Sequence, residues 1–335
     1  MASVQAFVPS EHTSEHVLVA PSGAHGVPEL AAARFAGVEW LRAPRDGAAT
    51  GDGRPVGARF RGMRSSASAS ASAPGVLRLG REHRATGPFP VDDASSLGLS
   101  GAGAAWALGR LDGGLDVRGG RPGVYDDRDG IARAFAAALP EGEELEIVRW
   151  AVAVARRLGG ALLADGRHVM RPDPRAAVDL TLWSARTLPQ DELLAAVRSC
   201  VATAQAAPAG PPGALRVVAR TAYDGDLVID VAPAERLPLA VAGSASGAAS
   251  ALAVSGAVVH RLSWVPLDRE ELAVEHPSGI HEIARARCRA LLARVAALLQ
   301  PRLEAVVLDD GGLPVGPDDL ERRLAGETAS GRAWV

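Results

Sequence analysis

Apolar residues recur at helical spacing in several stretches of the chain. In 143–158, EELEIVRWAVAVARRL, the residues Leu145, Val148, Val152 and Ala155 fall three or four apart, and Gly159-Gly160 stops the pattern. Segment 190–206 places Leu193, Leu194, Val197 and Val201 on one face, with Pro189, Asp191 and Glu192 suiting a first turn. Segment 279–300 carries Ile280, Ile283, Ala284, Leu291, Leu292, Val295 and Leu298 on one stripe, and Ser278 can cap it. A short helix is expected over 28–35. Strands are expected before these helices, at 16–20, 104–111, 177–185 and 257–265, and the clearest carries the period-two mark of a half-buried strand. In VDLTLW, Val178, Leu180 and Leu182 oppose Asp179, Thr181 and Trp183.

Asp-Gly pairs punctuate the apolar runs that follow the helices. Such a pair suits a two-residue type I′ turn, which needs positive φ at both central positions. Asp165-Gly166, Asp224-Gly225 and Asp310-Gly311 each predict a hairpin, and Asp46-Gly47 with Asp52-Gly53 a longer one. The phrase LGGALLADGRHVMR at 158–171 is echoed by LEAVVLDDGGLPVG at 303–316. Strand, helix, strand, turn, strand thus recurs over 10–64, 104–173, 177–242 and 256–325.

These units predict an α+β protein of tandem βαββ-type units forming two antiparallel or mixed sheets, with helices packed on one face. Two lobes are expected, 1–173 and 174–335. The Ser/Ala-rich stretch near 64–75 reads as a disordered insertion in the first, and the Gly/Ser/Ala stretch near 243–256 as a linker in the second. Residues 75–96 are expected to hold one further strand and then loop. By element order the units resemble ferredoxin-like and vicinal-oxygen-chelate scaffolds, which are built from similar duplicated units. That resemblance implies a fold and no activity. A chelate centre would also need His and Glu at matching strand positions, and only His260 in AVVHRL has such a place.

Composition narrows the chemistry. All 36 basic residues are Arg, and neither Lys nor Asn occurs, the mark of a GC-rich bacterial genome. The missing Lys excludes a Schiff-base nucleophile, a phosphate-loop lysine and the usual kinase lysine. A net charge of −3 argues against a nucleic-acid surface. Cys200 and Cys288 form no zinc or redox spacing and suit a reducing cytoplasm. The N-terminal stretch lacks the basic and apolar regions of a secretory signal, and no apolar run reaches the roughly 18 residues of a membrane span.

EHPSGIHE at 275–282 is the best local cluster, and His276, His281 and Glu282 are the candidate metal ligands. Their spacing differs from H-E-x-x-H, and a helix start disfavours a cation, so turn and cap chemistry is the simpler reading. His12, Glu15 and His16 have helical metal spacing but read as a solvated terminal segment, and Glu82-His83 as a salt-bridged surface loop. YDDRDG at 125–130 fails as a calcium loop, because Tyr125 and Ala136 fall on ligand positions; helix capping by Asp127 or Asp129 explains the acids. Gly101-x-Gly103 lacks the rest of a dinucleotide fingerprint. Pro-Ser-Gly-x-His occurs twice, as Ser22 with His25 and Ser278 with His281, without a nucleophile elbow. Trp40, Trp106, Trp183 and Trp264 fall one per unit, as packing anchors or, if some line a groove, as a binding surface.

No catalytic motif is intact. The expected function is a non-catalytic binding, regulatory or assembly module using the cleft between lobes or an exposed sheet face. The alternative is a metal-dependent enzyme using His276, His281 and Glu282, with His260 brought close. No cofactor, nucleic acid or membrane is expected, the partner is unknown, and a sheet edge could support a homo-oligomer.

Overall fold

Strands with one apolar face and helices with one apolar stripe need each other as cover. Here they assemble into two large antiparallel sheets, so the chain is α+β. The computed structural model describes residues 4–21, 26–45, 73–114, 116–120, 127–210, 213–243 and 256–330. The first half runs β1 (His16–Pro21), α1 (Val27–Ala32), β2 (Glu39–Arg42), β3 (Gly75–Leu79), β4 (His83–Val91), β5 (Gly103–Arg110), β6 (Arg118–Gly120), α2 (Ile131–Ala134), β7 (Leu139–Pro140), α3 (Gly142–Leu158), β8 (Ala161–Ala164) and β9 (His168–Met170). The second runs β10 (Leu180–Ser184), α4 (Gln190–Cys200), β11 (Ala204–Ala207), β12 (Leu215–Arg220), β13 (Asp226–Ala234), α5 (Leu239–Ala242), β14 (Ala257–Val265), α6 (Gly279–Leu303), β15 (Val306–Asp309) and α7 (Pro317–Ser330).

The first sheet has the order β2-β3-β4-β5-β1-β8-β9, and the second β11-β12-β13-β14-β10-β15. One plan underlies both. A central strand leads into a helix and then a four-strand meander whose last member returns beside it. A long helix follows, and the next strand takes the central strand's other side. A bridge from Leu308 to Pro314 stands where β9 stands in the first sheet. The order that recurs is therefore longer than strand–helix–strand–strand. The expected units at 10–64 and 104–173 both supply one sheet, where β5 and β8 of the second flank β1 of the first.

Each sheet packs one face on its long helix. Leu18, Leu108 and Leu162 meet Ile147, Val148, Ala151 and Val154 of α3. Leu180, Leu182, Ile229 and Leu262 meet Cys288, Leu292, Val295 and Leu299 of α6, with Leu193 and Val197 of α4. The opposite faces are covered too. Val4, Phe7 and Val8 with Ala94 and Leu97 close the first sheet over Val17, Val19 and Ala105. Part of the second sheet's opposite face meets Ala240 and Val241 of α5 and Ala33 of the first half. Among the described residues, no helix is long and apolar enough to cross a membrane.

Several expected boundaries shift. The helix expected to 206 ends at Cys200, because Val201 turns extended and 204–207 pairs with β12. An open sheet edge outweighs the helical propensity of Ala and Gln there. Ile280 and Ile283 are exposed, because His281, Ala284 and Cys288 form the inward face of α6 at this end, with His281 against Trp264. Residues 75–96 hold two strands, β3 and β4. Their turn has Gly80 at φ 68° and is anchored by the Glu143 carboxylate, which accepts the Arg81 and Glu82 amides. A partner some sixty residues away is invisible to local turn chemistry. The Asp46-Gly47 and Asp52-Gly53 hairpin, the insertion from 64 to 72, the linker from 244 to 255, Ser22, His25 and Tyr125 lie outside the described residues.

Candidate functional site

The two halves enclose a cleft of about 540 Å³. Helix α3 forms one wall. Ile147, Ala151 and Val154 go to the sheet, while Arg149, Trp150, Ala153 and Arg156 line the opening. The facing wall is the side of the second sheet that alternation turns away from α6: Thr181 and Trp183 of β10, Arg261 of β14 and Leu308 of β15. Ile131, Pro238 and Leu239 complete an apolar border. The cleft therefore combines two indoles and aliphatic surface with a rim rich in guanidinium groups, the mixture expected of a small-molecule site of this size.

Most of these arginines have internal partners. Arg34 and Arg149 share Glu146. Arg156, only 6% exposed, donates to Asp310 at 3.0 Å and to Asp129 at 2.6 Å. Arg128 reaches Asp310 at 3.1 Å. Burial, followed by the neighbouring Asp310 charge, pushes the Asp309 carboxyl above its ordinary range; its Oδ1 accepts the Gly311 and Leu313 amides. Arg261 differs: among the described residues, no carboxylate lies within ion-pair distance of it, and it is exposed. Its cross-strand neighbour Asp230 is taken by Arg216. Trp183 is half-buried, and its Nε1 has no acceptor.

One further group gathers metal-ligating atoms. His16, Glu144 and Asp165 bring theirs within 4.8 Å of one another, and among the described residues no other three do so. The donors are already engaged. The Asp165 amide donates to Nδ1 of His16 at 3.0 Å, so the proton sits on Nε2, which donates to Glu144 at 3.1 Å. Arg118 pairs with Glu144 and Asp165, at 2.5 Å each. Burial pushes the Glu144 carboxyl up, but His16 and Arg118 outweigh it and hold it below the ordinary carboxylate range. A cation entering here would have to displace a guanidinium and a backbone amide. The arrangement is a polar knot joining β1, the start of α3 and the Asp165 turn.

No family model matches the chain, and neither a curated protein nor a solved structure matches it.

The expected metal ligands are placed apart in character. His276 and Glu282 are exposed, while His281 is buried with its ring centroid 4.8 Å from that of Trp264. Its amide donates to the Ser278 hydroxyl, so Ser278 caps α6, and Glu271 accepts the Ser278 amide. His260 is wholly buried in β14; neither ring nitrogen has a side-chain hydrogen-bond partner, and burial pushes its pKa down to about 4. His16 is buried rather than solvated, because it opens β1 instead of ending a terminal segment. His83 is buried as well, between Glu143 at 3.0 Å and Asp116 at 3.1 Å, not in a surface loop. Asp127 does cap, accepting the Ala132 and Arg133 amides, whereas Asp129 serves Arg156. Trp106, Trp150 and Trp264 anchor cores, and Trp183 lines the cleft. Of the cleft residues, the sequence marked Trp183 as an anchor or groove residue, Asp310 only as a turn residue and Asp129 only as a cap. Arg156 and Arg261 carried no local signal, because the role of the first arises from pairing across the halves and that of the second from the lack of a partner.

Proposed function

We propose that the protein is a binding module whose ligand is a small, partly aromatic organic anion held in the cleft between its two halves. The single observation that carries this reading is the pairing of the Trp183 indole with the unneutralised Arg261 guanidinium on one wall of a 540 Å³ cleft. An aromatic face takes a planar apolar body, and a free guanidinium takes a carboxylate, sulfonate or phosphate. Neighbouring Arg156 and Arg128 are neutralised by Asp129 and Asp310, so they stiffen the cleft and leave Arg261 to read the anion. We take each sheet with its helices as one lobe and the shared plan as the trace of a duplication of a whole lobe.

The fluorescent aromatic sulfonate 1-anilinonaphthalene-8-sulfonate tests the reading in titrations of the folded protein. One saturable site is expected, weakened about tenfold or more in Arg261→Gln, as loss of a charge-assisted contact of ~1.5–3 kcal/mol implies. Trp183→Ala should weaken it as well. No saturable binding, or binding indifferent to both substitutions, would overturn the reading.

A further inference from the structure

A second cavity, of about 260 Å³, shares the Arg156–Asp310 bridge with the first. Its lining is dominated by charge: Arg156, Arg157, Arg175, Arg289, Arg322 and Arg323, against Asp309, Asp310 and Asp319. The acids are spoken for. Asp310 holds Arg156, and Asp319 is shared by Arg157 and Arg322. Asp309 accepts two backbone amides and is pushed toward its neutral form by burial.

Three guanidinium groups are left over. Arg323 of α7 is 4% exposed and donates to the Val178 carbonyl at 3.3 Å. Arg289 of α6 donates to the Ala177 carbonyl at 3.2 Å. Arg175 is exposed at the mouth. Among the described residues, none of the three has a carboxylate within ion-pair distance. Burial lowers the Arg289 pKa to about 10, with Arg323 the next cause, and it lowers that of Arg323 too. Arg323 is buried and Arg289 half-buried, and the carboxylates that act on them, Asp309 and Asp310 on the one and Asp173 on the other, stand beyond ion-pair distance, so positive charge here is costly and incompletely offset. Codon bias explains why the chain is rich in Arg. It does not explain why two are folded into one cavity with no carboxylate in ion-pair contact with either.

We propose that this cavity is a binding site for a multiply charged oxyanion, a phosphate group, clamped by Arg289 and Arg323 and met at the entrance by Arg175. Planar guanidinium forks suit the tetrahedral oxygens of phosphate, and the carbonyls of Ala177 and Val178 already fix the two forks in place. The site goes beyond the Trp183–Arg261 cleft and does not depend on it, although the two cavities share the Arg156–Asp310 wall.

The experiment is thermal unfolding of the full chain in inorganic phosphate, against sodium chloride at equal ionic strength. A binder present at about a hundred times its dissociation constant raises the melting temperature by several degrees, and that rise is expected with phosphate only. Arg289→Gln should abolish it. The same variant should melt no lower than wild type in phosphate-free buffer, because Arg323 loses a repelling neighbour; a purely structural Arg289 would make it melt lower. Should Arg289→Gln fail to fold, Arg175→Gln, at an exposed position, is expected to cut the phosphate affinity several-fold. Adenosine monophosphate forms a second arm. A rise beyond that of phosphate identifies a phosphomonoester with an organic body, and an equal rise the free ion. Equal responses of wild type and variants to phosphate, or a wild-type response no larger than that to chloride, would sink the proposal. Arg261→Gln should keep the phosphate response whatever becomes of the aromatic cleft.

Discussion

Asp165-Gly166 and Asp310-Gly311 each follow the strand that completes a central trio, yet the first turn holds its own half together and the second joins the two halves. The approaches match: the long helices end in left-handed residues, Gly159 at φ 68° and Glu304 at φ 50°, and a four-residue strand follows each. The turns then part. Asp165 and Gly166 both take positive φ, 52° and 61°, as a two-residue type I′ turn requires. At the second turn the left-handed residue is Gly312 at φ 74°, and the Gly312 amide closes on Asp309, which makes a three-residue loop. One extra residue re-aims the carboxylate. Asp165 meets Arg118 and His16 of its own half, whereas Asp310 meets Arg156 and Arg128 across the interface, and Leu313 just beyond it is buried in the first half's core. A shared plan is thus compatible with divergent tasks when a turn changes by one position.

The largest test of this contrast removes each carboxylate. Asp310→Ala strips one of two carboxylates from the largely buried Arg156, which keeps Asp129, and also takes the partner of Arg128, so it should cost about 2–3 kcal/mol. Asp165→Ala leaves Arg118 with Glu144 and partial access to solvent, so about 1 kcal/mol is expected. Urea unfolding of both variants measures the difference. Equal costs would remove the distinction between a joining turn and a local one.

The buried histidines sharpen the comparison. His16 is satisfied on both nitrogens, whereas neither nitrogen of His260 has a well-formed hydrogen bond and the Leu182 backbone offers only a weak one. His260 has a folded pKa of about 4 against an unfolded value of 6.5, so the unfolded chain binds the extra proton between those values. Its contribution is therefore whole above pH 6.5 and lost on acidification, at about 1.4 kcal/mol per pH unit, until the folded value is reached. His260→Leu removes a poorly satisfied polar group and should stabilise the protein by ~1–2 kcal/mol at neutral pH. It should also flatten this part of the acid limb. Stability curves of the two proteins from pH 7.5 to 4.5, run in parallel, check both the sign and the slope; an unchanged acid limb would contradict the assignment to His260.

Much of this architecture was legible because it is written locally. The alternation of VDLTLW, the stripe of 143–158 and the Asp-Gly at 165 each carry their own geometry, and the echo at 310 marks the same place in the second half. The β3–β4 turn was not legible, since Glu143 supplies its anchor from another element. The cleft was half legible. A tryptophan on the polar side of a strand is a visible anomaly, whereas an arginine that lacks a partner is defined by what the fold leaves out of its reach.

The smallest effect separates turn geometry from turn contacts. Gly166 and Gly312 both occupy the left-handed region, but a Cβ at 166 would lie 2.0 Å from the Thr13 carbonyl oxygen, and one at 312 would meet nothing within 4 Å. Gly312→Ala should then show the backbone cost alone, about 1 kcal/mol, and Gly312→Asn less, since Asn tolerates that region. Gly166→Ala should cost distinctly more, because backbone rather than a flexible side chain must give way. If Gly312→Ala were as damaging as Gly166→Ala, the second turn would be held by contacts as tight as those of the first. Its freedom to swing Asp310 toward α3 would then need another source than the added residue.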